Sequence, residues 1–256
     1  MIIDSHCHID FEDFDNDRAE VLHRANVAGV TKIIVPGVTQ TTWQRVKATC
    51  EKHTELYPCY GLHPYFIEQH SENDLQVLER LLSGNSQAIA VGECGLDFFL
   101  AHLDREKQHF YFEQQLDLAI TFKLPVVVHA RKSTEAVINA IKKRPGLRGM
   151  IHSYSGSYEQ AIQLIDLGFY LSFGGPITYD KATRLHALVK SLPLSSLLIE
   201  TDAPDQPVAH SKSPRNEPAC IKSVATRIAQ LHHIDFNEIT SSTYKNAMQL
   251  FQLAPP

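Results

Sequence analysis

Two periods of apolar residues alternate along this chain. Short runs rich in Val, Ile, Leu and Tyr recur eight times, at residues 2–5, 32–36, 57–61, 88–92, 125–129, 149–152, 169–172 and 196–200. Several are apolar without interruption, as in Val126-Val127-Val128. A strand reads this way when both faces of a parallel sheet are covered. Between the runs, apolar residues return at helical spacing. Phe112, Leu116, Ala119 and Ile120 fall at i, i+4, i+7 and i+8. Leu185, Leu188, Val189 and Leu192 fall at i, i+3, i+4 and i+7, as do Ile221, Val224, Ala225 and Ile228. Ser157 followed by Gln160 is a capping-box start. Residues 235–251 predict one more helix after the last strand. No linker or close repeat divides the chain, so residues 1–256 are expected to form one α/β domain. Eight βα units predict a TIM-type (β/α)8 barrel with an extra C-terminal helix, against a doubly wound open sheet as the competing architecture.

Length and composition agree with the barrel. A chain of 256 residues has the usual size of one (β/α)8 domain. It is long enough to bury roughly 70–75% of the surface its unfolded form exposes. No run of consecutive apolar residues exceeds four, so no bilayer-spanning helix is expected. The opening Met-Ile-Ile-Asp-Ser-His-Cys-His has neither a basic nor an apolar leader region, so no signal peptide is expected. The five cysteines form no C-x-x-C pair, which predicts reduced thiols and a cytoplasmic setting. A formal net charge of −5 excludes a protein whose main task is to coat nucleic acid. It leaves open an enzyme that grips a few phosphates in a cleft.

In such a barrel the chemistry sits where strands end and βα loops begin. The first predicted strand runs into His6-Cys7-His8, the fourth ends at Glu93, the fifth at His129 and the sixth at His152. The eighth runs into Asp202. Residues two apart on a strand point the same way, so His6 and His8 can grip one ion while Cys7 points to the other face. His129 and His152 also admit readings as core or capping residues, and Asp202 as a turn residue before Pro204. A carboxylate such as Glu93 at the end of a buried strand is costly unless paired or metal-bound. Six donors are too many for one tetrahedral ion. They suit two divalent cations sharing a bridging carboxylate, for which Glu93 is the candidate. Asp202 could bind one ion and orient the attacking water. Imidazole with carboxylate fits zinc, manganese, cobalt or nickel, and magnesium less well.

Taken together, Asp4-Ser5-His6-Cys7-His8, Gly61-Leu62-His63-Pro64-Tyr65, Val91-Gly92-Glu93-Cys94-Gly95-Leu96-Asp97, His129-Ala130-Arg131, Ile151-His152, Glu200-Thr201-Asp202-Ala203-Pro204 and Arg215-Asn216-Glu217-Pro218 make the chain resemble the TatD family of metal-dependent hydrolases. The likeness spans essentially the whole sequence and is closest to the bacterial members of undefined substrate. The resemblance implies a (β/α)8 barrel and a divalent metal pair. By motif position one ion would be held by His6, His8, Glu93 and Asp202, and the other by Glu93, His129 and His152. It also implies hydrolysis, and several family members are DNases. Related barrels outside the family bridge their metals through a modified lysine at strand 4, where this chain has Glu93. After Thr-Asp-Ala-Pro the chain departs from many relatives, with Asp205-Gln206 in place of an aromatic or apolar pair.

The expected mechanism has Asp202 accept the proton of the attacking water while Glu93 spaces the ions. Arg131 could clamp a phosphate or pair with a neighbouring carboxylate. His63 could contact substrate or support the metal shell. Tyr154, Phe98 and Phe99 could stack on bases or pack under loops. Lys132, Arg215 and Asn216 are weaker candidates. The leading expectation is therefore a two-metal phosphodiesterase acting on single-stranded DNA or DNA ends, as a monomer. The alternative is hydrolysis of an ester, amide or nucleobase amine in a small molecule, and a third reading is a non-catalytic metal barrel.

Overall fold

The computed structural model describes residues 1–84 and 87–254. Eight strands form one sheet in sequence order, each parallel to the next: β1 (Ile2–Asp4), β2 (Val30–Pro36), β3 (Leu56–Tyr60), β4 (Ala90–Asp97), β5 (Val126–Arg131), β6 (Gly149–Ile151), β7 (Phe169–Phe173) and β8 (Leu197–Ile199). Backbone bonds bring the last strand back to the first: Ser5 N–H donates to Ile199 O at 3.1 Å, Asp202 N–H to His6 O at 2.9 Å, and His8 N–H to Ala203 O at 2.8 Å. This near-closure makes the sheet a TIM-type barrel and rules out the open doubly wound alternative. It also sets Asp202 beside His6 and His8, although almost two hundred residues separate them.

Helices alternate with the strands: α1 (Arg18–Val27), α2 (Trp43–Cys50), α3 (Glu72–Ser83), α4 (Arg105–Phe122), α5 (Thr134–Lys142), α6 (Tyr158–Asp166), α7 (Thr183–Ser191) and α8 (Ile221–His232). The spacing that predicts α8 is fully used, since Ile221, Val224, Ala225 and Ile228 are all buried. In α4 the last periodic residue, Ile120, is 41% exposed instead, because the apolar face ends at Ala119. The capping box at Ser157 and Gln160 starts α6, closed by Gln160 N–H to Ser157 Oγ at 3.2 Å and Ser157 N–H to Gln160 Oε1 at 3.1 Å. Among the described residues no helix is long and apolar enough to cross a membrane.

Alternation along the strands divides the core in two. Outward residues such as Ile2, Ile33, Val35, Val126 and Val128 pack under the helices. Inward residues Ile3, Ile34, Cys59, Ala90, Val127, Met150 and Leu198 fill the barrel lumen. The lumen cluster continues into Ala247, Leu250 and Phe251 of α9 (Phe236–Phe251). The C-terminal helix expected from sequence is thus a plug across the N-terminal mouth of the barrel, and it leaves the opposite mouth for chemistry.

Two strands run further than the sequence pattern predicts. β4 reaches Asp97 and β5 reaches Arg131, so Glu93 and His129 lie inside strands rather than at their ends. Between Val91 and Cys94 the β4 register shifts by one residue against β5. This bulge keeps Val91 and Cys94 in the outer core and turns Glu93 toward the barrel axis. Gly95 lies opposite His129 with φ +143, and a Cβ there would collide with the His129 carbonyl oxygen. Gly95→Ala is expected to cost about 3 kcal/mol, through backbone strain and overpacking. Thermal unfolding would register this as a Tm lower by about 6–12 °C. An unchanged Tm would contradict the close β4–β5 approach.

Candidate metal centre

The open mouth holds a cavity of about 740 Å³ whose floor is a cluster of histidines around Glu93. The two oxygens of that carboxylate, itself 2% exposed, face different partners. Oε2 lies 3.2 Å from His6 Nε2 and 3.5 Å from His8 Nε2. Asp202 Oδ1 completes this group at 3.4 Å from His6 Nε2 and 3.7 Å from His8 Nε2, while the two imidazole nitrogens are 3.3 Å apart. Oε1 lies 2.9 Å from His152 Nε2, 3.3 Å from His129 Nδ1 and 3.0 Å from His63 Nε2. His129 Nδ1 and His152 Nε2 are 3.1 Å apart. All six donors expected from sequence therefore meet, in two sets that share Glu93.

These separations fit cations. An ion bonded tetrahedrally to four donors at about 2.1 Å holds them about 3.4 Å apart. Two imidazole nitrogens facing each other cannot both present a hydrogen, and lone pairs turned inward need a positive charge between them. The far sides of the rings fit too. His8 Nδ1 lies 3.2 Å from Pro36 O and His129 Nε2 3.2 Å from Asp97 Oδ2, while His152 Nδ1 faces Glu200 Oε1 at 3.5 Å as a charge contact without a hydrogen bond. Such outer partners fix ring orientation and raise ligand basicity. His6 Nδ1 is buried with no partner, so the ring's one polar engagement is on the cluster side.

His63 differs from the other histidines. Its Nδ1 accepts the N–H of Tyr65 at 3.0 Å, so the proton of the neutral ring sits on Nε2, facing Glu93. Burial pushes its pKa down to about 4, which keeps it neutral. His63 therefore offers the cavity a hydrogen-bond donor rather than a lone pair.

Charge inside the cluster is balanced by Glu93. Burial would raise its pKa, yet the surrounding His63, His152 and His6 hold the carboxyl well below its usual range. Burial would lower His8 in turn, but the hydrogen bond and charge of Glu93 push it up to about 9. A protonated imidazole cannot bind metal, so metal must displace that proton. Between pH 7 and 9 the apparent metal affinity is expected to rise about tenfold per pH unit through His8 alone. Calorimetric titration in buffers of different ionisation enthalpy would show the released proton. An affinity independent of pH over this range would contradict the ligand role of His8.

The remaining candidates separate. Arg131, 47% exposed in its side chain, lies on the rim with Nη1 3.7 Å from Asp97 and its guanidinium 3.8 Å from the Phe99 ring. It pairs with a carboxylate and also lines the cavity. Tyr154 is 2% exposed and its hydroxyl donates to Ser157 O at 2.7 Å, so only its ring borders the cavity. Phe99 is 49% exposed at the rim, whereas Phe98 lies under the Arg105 guanidinium. Arg215 is committed to both oxygens of Asp17 at 2.8 and 2.6 Å. Asn216 is buried and donates to Thr201 O and Gln206 O, bracing the loop that carries Asp202.

Sequence reading assigned no role to three residues that hold the donors. Asp97 and Glu200 are the carboxylates behind His129 and His152, and Glu200 Oε1 also accepts Ser153 N–H at 2.7 Å. Gln206, at the departure from the family pattern, donates Nε2–H to Asp202 Oδ2 at 2.5 Å and accepts Ser153 Oγ–H at 2.9 Å. The only advance signal was position: Asp97 and Glu200 are acids at buried strand ends.

Known proteins resemble this chain in sequence and fold. The family described as TatD related DNase matches residues 3–252. A protein of Escherichia coli strain K12, named uncharacterised metal-dependent hydrolase YjjV, is 37% identical over 253 residues, covering 98% of each chain. The metal-dependent hydrolase YabD of Bacillus subtilis strain 168, also named uncharacterised, is 36% identical over 255 residues, covering 99% of this chain and 100% of its own. The crystal structure of YjjV, described as a TatD homolog, superposes with a TM-score of 0.94 at 36% identity, covering 99% of this chain and 98% of that one. With the match running from the first strand to the plug helix, the chain belongs to the TatD-related DNase family of metal-dependent hydrolases.

Proposed function

We propose that this protein is a two-metal phosphodiesterase that hydrolyses single-stranded DNA or DNA ends. The observation that carries the reading is the division of donors about Glu93, with one oxygen toward His6, His8 and Asp202 and the other toward His129 and His152. The first set would hold one divalent cation and the second set another, with Glu93 in common. When bound, such a pair supplies Lewis acidity toward a phosphate oxygen and makes water acidic enough to lose a proton near neutral pH.

The chain's own groups do the rest. Asp202, on the cavity wall, takes the proton of the attacking water. The water oxygen forms a bond to phosphorus as the bond to the leaving oxygen breaks on the opposite side, and that oxygen takes up a proton from solvent water. His63 gives its Nε2–H to Glu93 Oε1 and so orients that carboxylate at the cavity floor. Arg131, held by Asp97 and the Phe99 ring, gives the rim a cation for a neighbouring phosphate. The exposed rings of Phe99 and Tyr65 provide faces on which unpaired bases can stack.

End-labelled single-stranded and duplex DNA, incubated with protein loaded with Mg²⁺, Mn²⁺ or Zn²⁺, tests the reading. Metal-dependent shortening that chelator abolishes is the expected result. Bound metal with no shortening would overturn it in favour of a small-molecule ester, amide or nucleobase amine. The net charge of −5 favours that second reading.

A further inference from the structure

Beside the metal cavity lies a second cleft of about 950 Å³, and the two share Ser155 and Leu185 as a common wall. Its lining differs in charge from the chain as a whole. Lys132, Lys181 and Arg184 border it, all exposed, and Glu135 is the one acid among the described lining residues. On a protein of net charge −5, a groove with three cations to one carboxylate is a local reversal of sign.

The backbone reinforces it. The cleft lies between the first turns of α5 and α7, two nine-residue helices whose starting residues Thr134 and Thr183 both line it. Neither start has a side-chain cap. The residue before α5, Ser133, turns its hydroxyl to Leu96 O at 2.6 Å instead, and the residue before α7 is Ala182. Uncapped N–H groups at two helix starts favour an anion in the same groove as the cations. Arg184 is held in place by Ser155 O at 3.0 Å and Gly156 O at 3.4 Å, which fixes its charge at the common wall. Lys132 stands 5.2 Å from the Phe99 ring, at the lip toward the metal cavity. Lys181 closes the far side.

We infer that this cleft is a binding track for the phosphate backbone of single-stranded DNA, which leaves the metal cavity across the Ser155–Leu185 wall. The inference rests on the phosphodiesterase reading and adds where the strand runs. On this path a dinucleotide occupies the metal cavity of about 740 Å³ alone, and a dodecamer occupies the cleft as well.

Fluorescence anisotropy tests it with metal-loaded Asp202→Asn protein, which spares the DNA during titration. A 5′-labelled single-stranded dodecamer is the probe, and an unlabelled dinucleotide competes with it. The variants are Lys181→Glu alone and Lys132→Glu with Lys181→Glu, each checked for an unchanged melting temperature. Both sites are exposed and far from the core, and the single change stands if the double one does not fold. The double variant is expected to bind the dodecamer about tenfold or more weakly. Its log–log salt slope should be shallower by about 1.4, the value for two single-strand phosphate contacts. In Lys181→Glu the dinucleotide's affinity should not change. Unaltered dodecamer affinity, or equal losses for both ligands, would overturn the track and leave the phosphodiesterase reading standing. Absence of DNA binding by the parent protein would overturn both.

Discussion

Glu93→Gln is expected to remove metal and hydrolysis together. The substitution keeps the shape of the side chain and deletes its charge. Among the described residues that charge is the only one within 3.5 Å of imidazoles of both donor sets, five in all. An amide offers a carbonyl oxygen to one side and an NH₂ to the other, so at least one set faces a donor where a cation should sit. Losing an outer partner of a ligand costs about 10–100-fold in metal affinity or activity. Losing the shared inner ligand should exceed that range, with both ions absent from dialysed protein by elemental analysis. The metal-free protein should remain folded, because the lumen core and the plug helix lie on the far side of the cluster. Retention of two ions per chain would contradict the bridging role.

Asp202→Asn should separate binding from turnover. Asp202 contributes one oxygen to a set that also contains His6, His8 and Glu93, so three of four donors survive the change. The lost group is the one assigned to take the water's proton, and a positioned base typically contributes about 10²–10⁴-fold. The expected outcome is a fall in kcat of that order, with metal content near that of the parent. Gln206 donates to Oδ2, so the variant's amide also faces an amide donor there and can reorient. Full turnover by Asp202→Asn would place the base elsewhere.

The donor set was legible because each member follows a short apolar run, and a parallel barrel brings the C-terminal ends of such runs together. The direction of Glu93 was not legible. Strict alternation from Ala90, which faces the lumen, would turn residue 93 outward. The one-residue shift between Val91 and Cys94 reverses it, and a bulge leaves no mark in the pattern of residue types. The supporting residues were hidden for a different reason. Asp97 reaches His129 through the pairing of β4 with β5, and Glu200 reaches His152 across β7, contacts set by register between segments far apart in sequence. The same pairing places Asp97 opposite Arg131, which sets the carboxylate partner of that arginine. The last helix was visible as a periodic segment. Its function as a plug follows only from the inward residues of seven strands converging on Ala247, Leu250 and Phe251.

The departure at Asp205-Gln206 also changes meaning in three dimensions. Read along the chain, it is only a change of residue type after Asp202. In the fold, Gln206 links Asp202 to Ser153, the residue after His152, and so ties a member of one donor set to the neighbour of a member of the other.

Crystallography of metal-loaded protein, with anomalous data collected at the absorption edge of the added metal, tests the central claim most directly. Two anomalous peaks about 3.5–4 Å apart are expected. One should lie on the His6, His8 and Asp202 side of Glu93 and the other on the His129 and His152 side. A single peak, or two peaks that do not share Glu93, would contradict it.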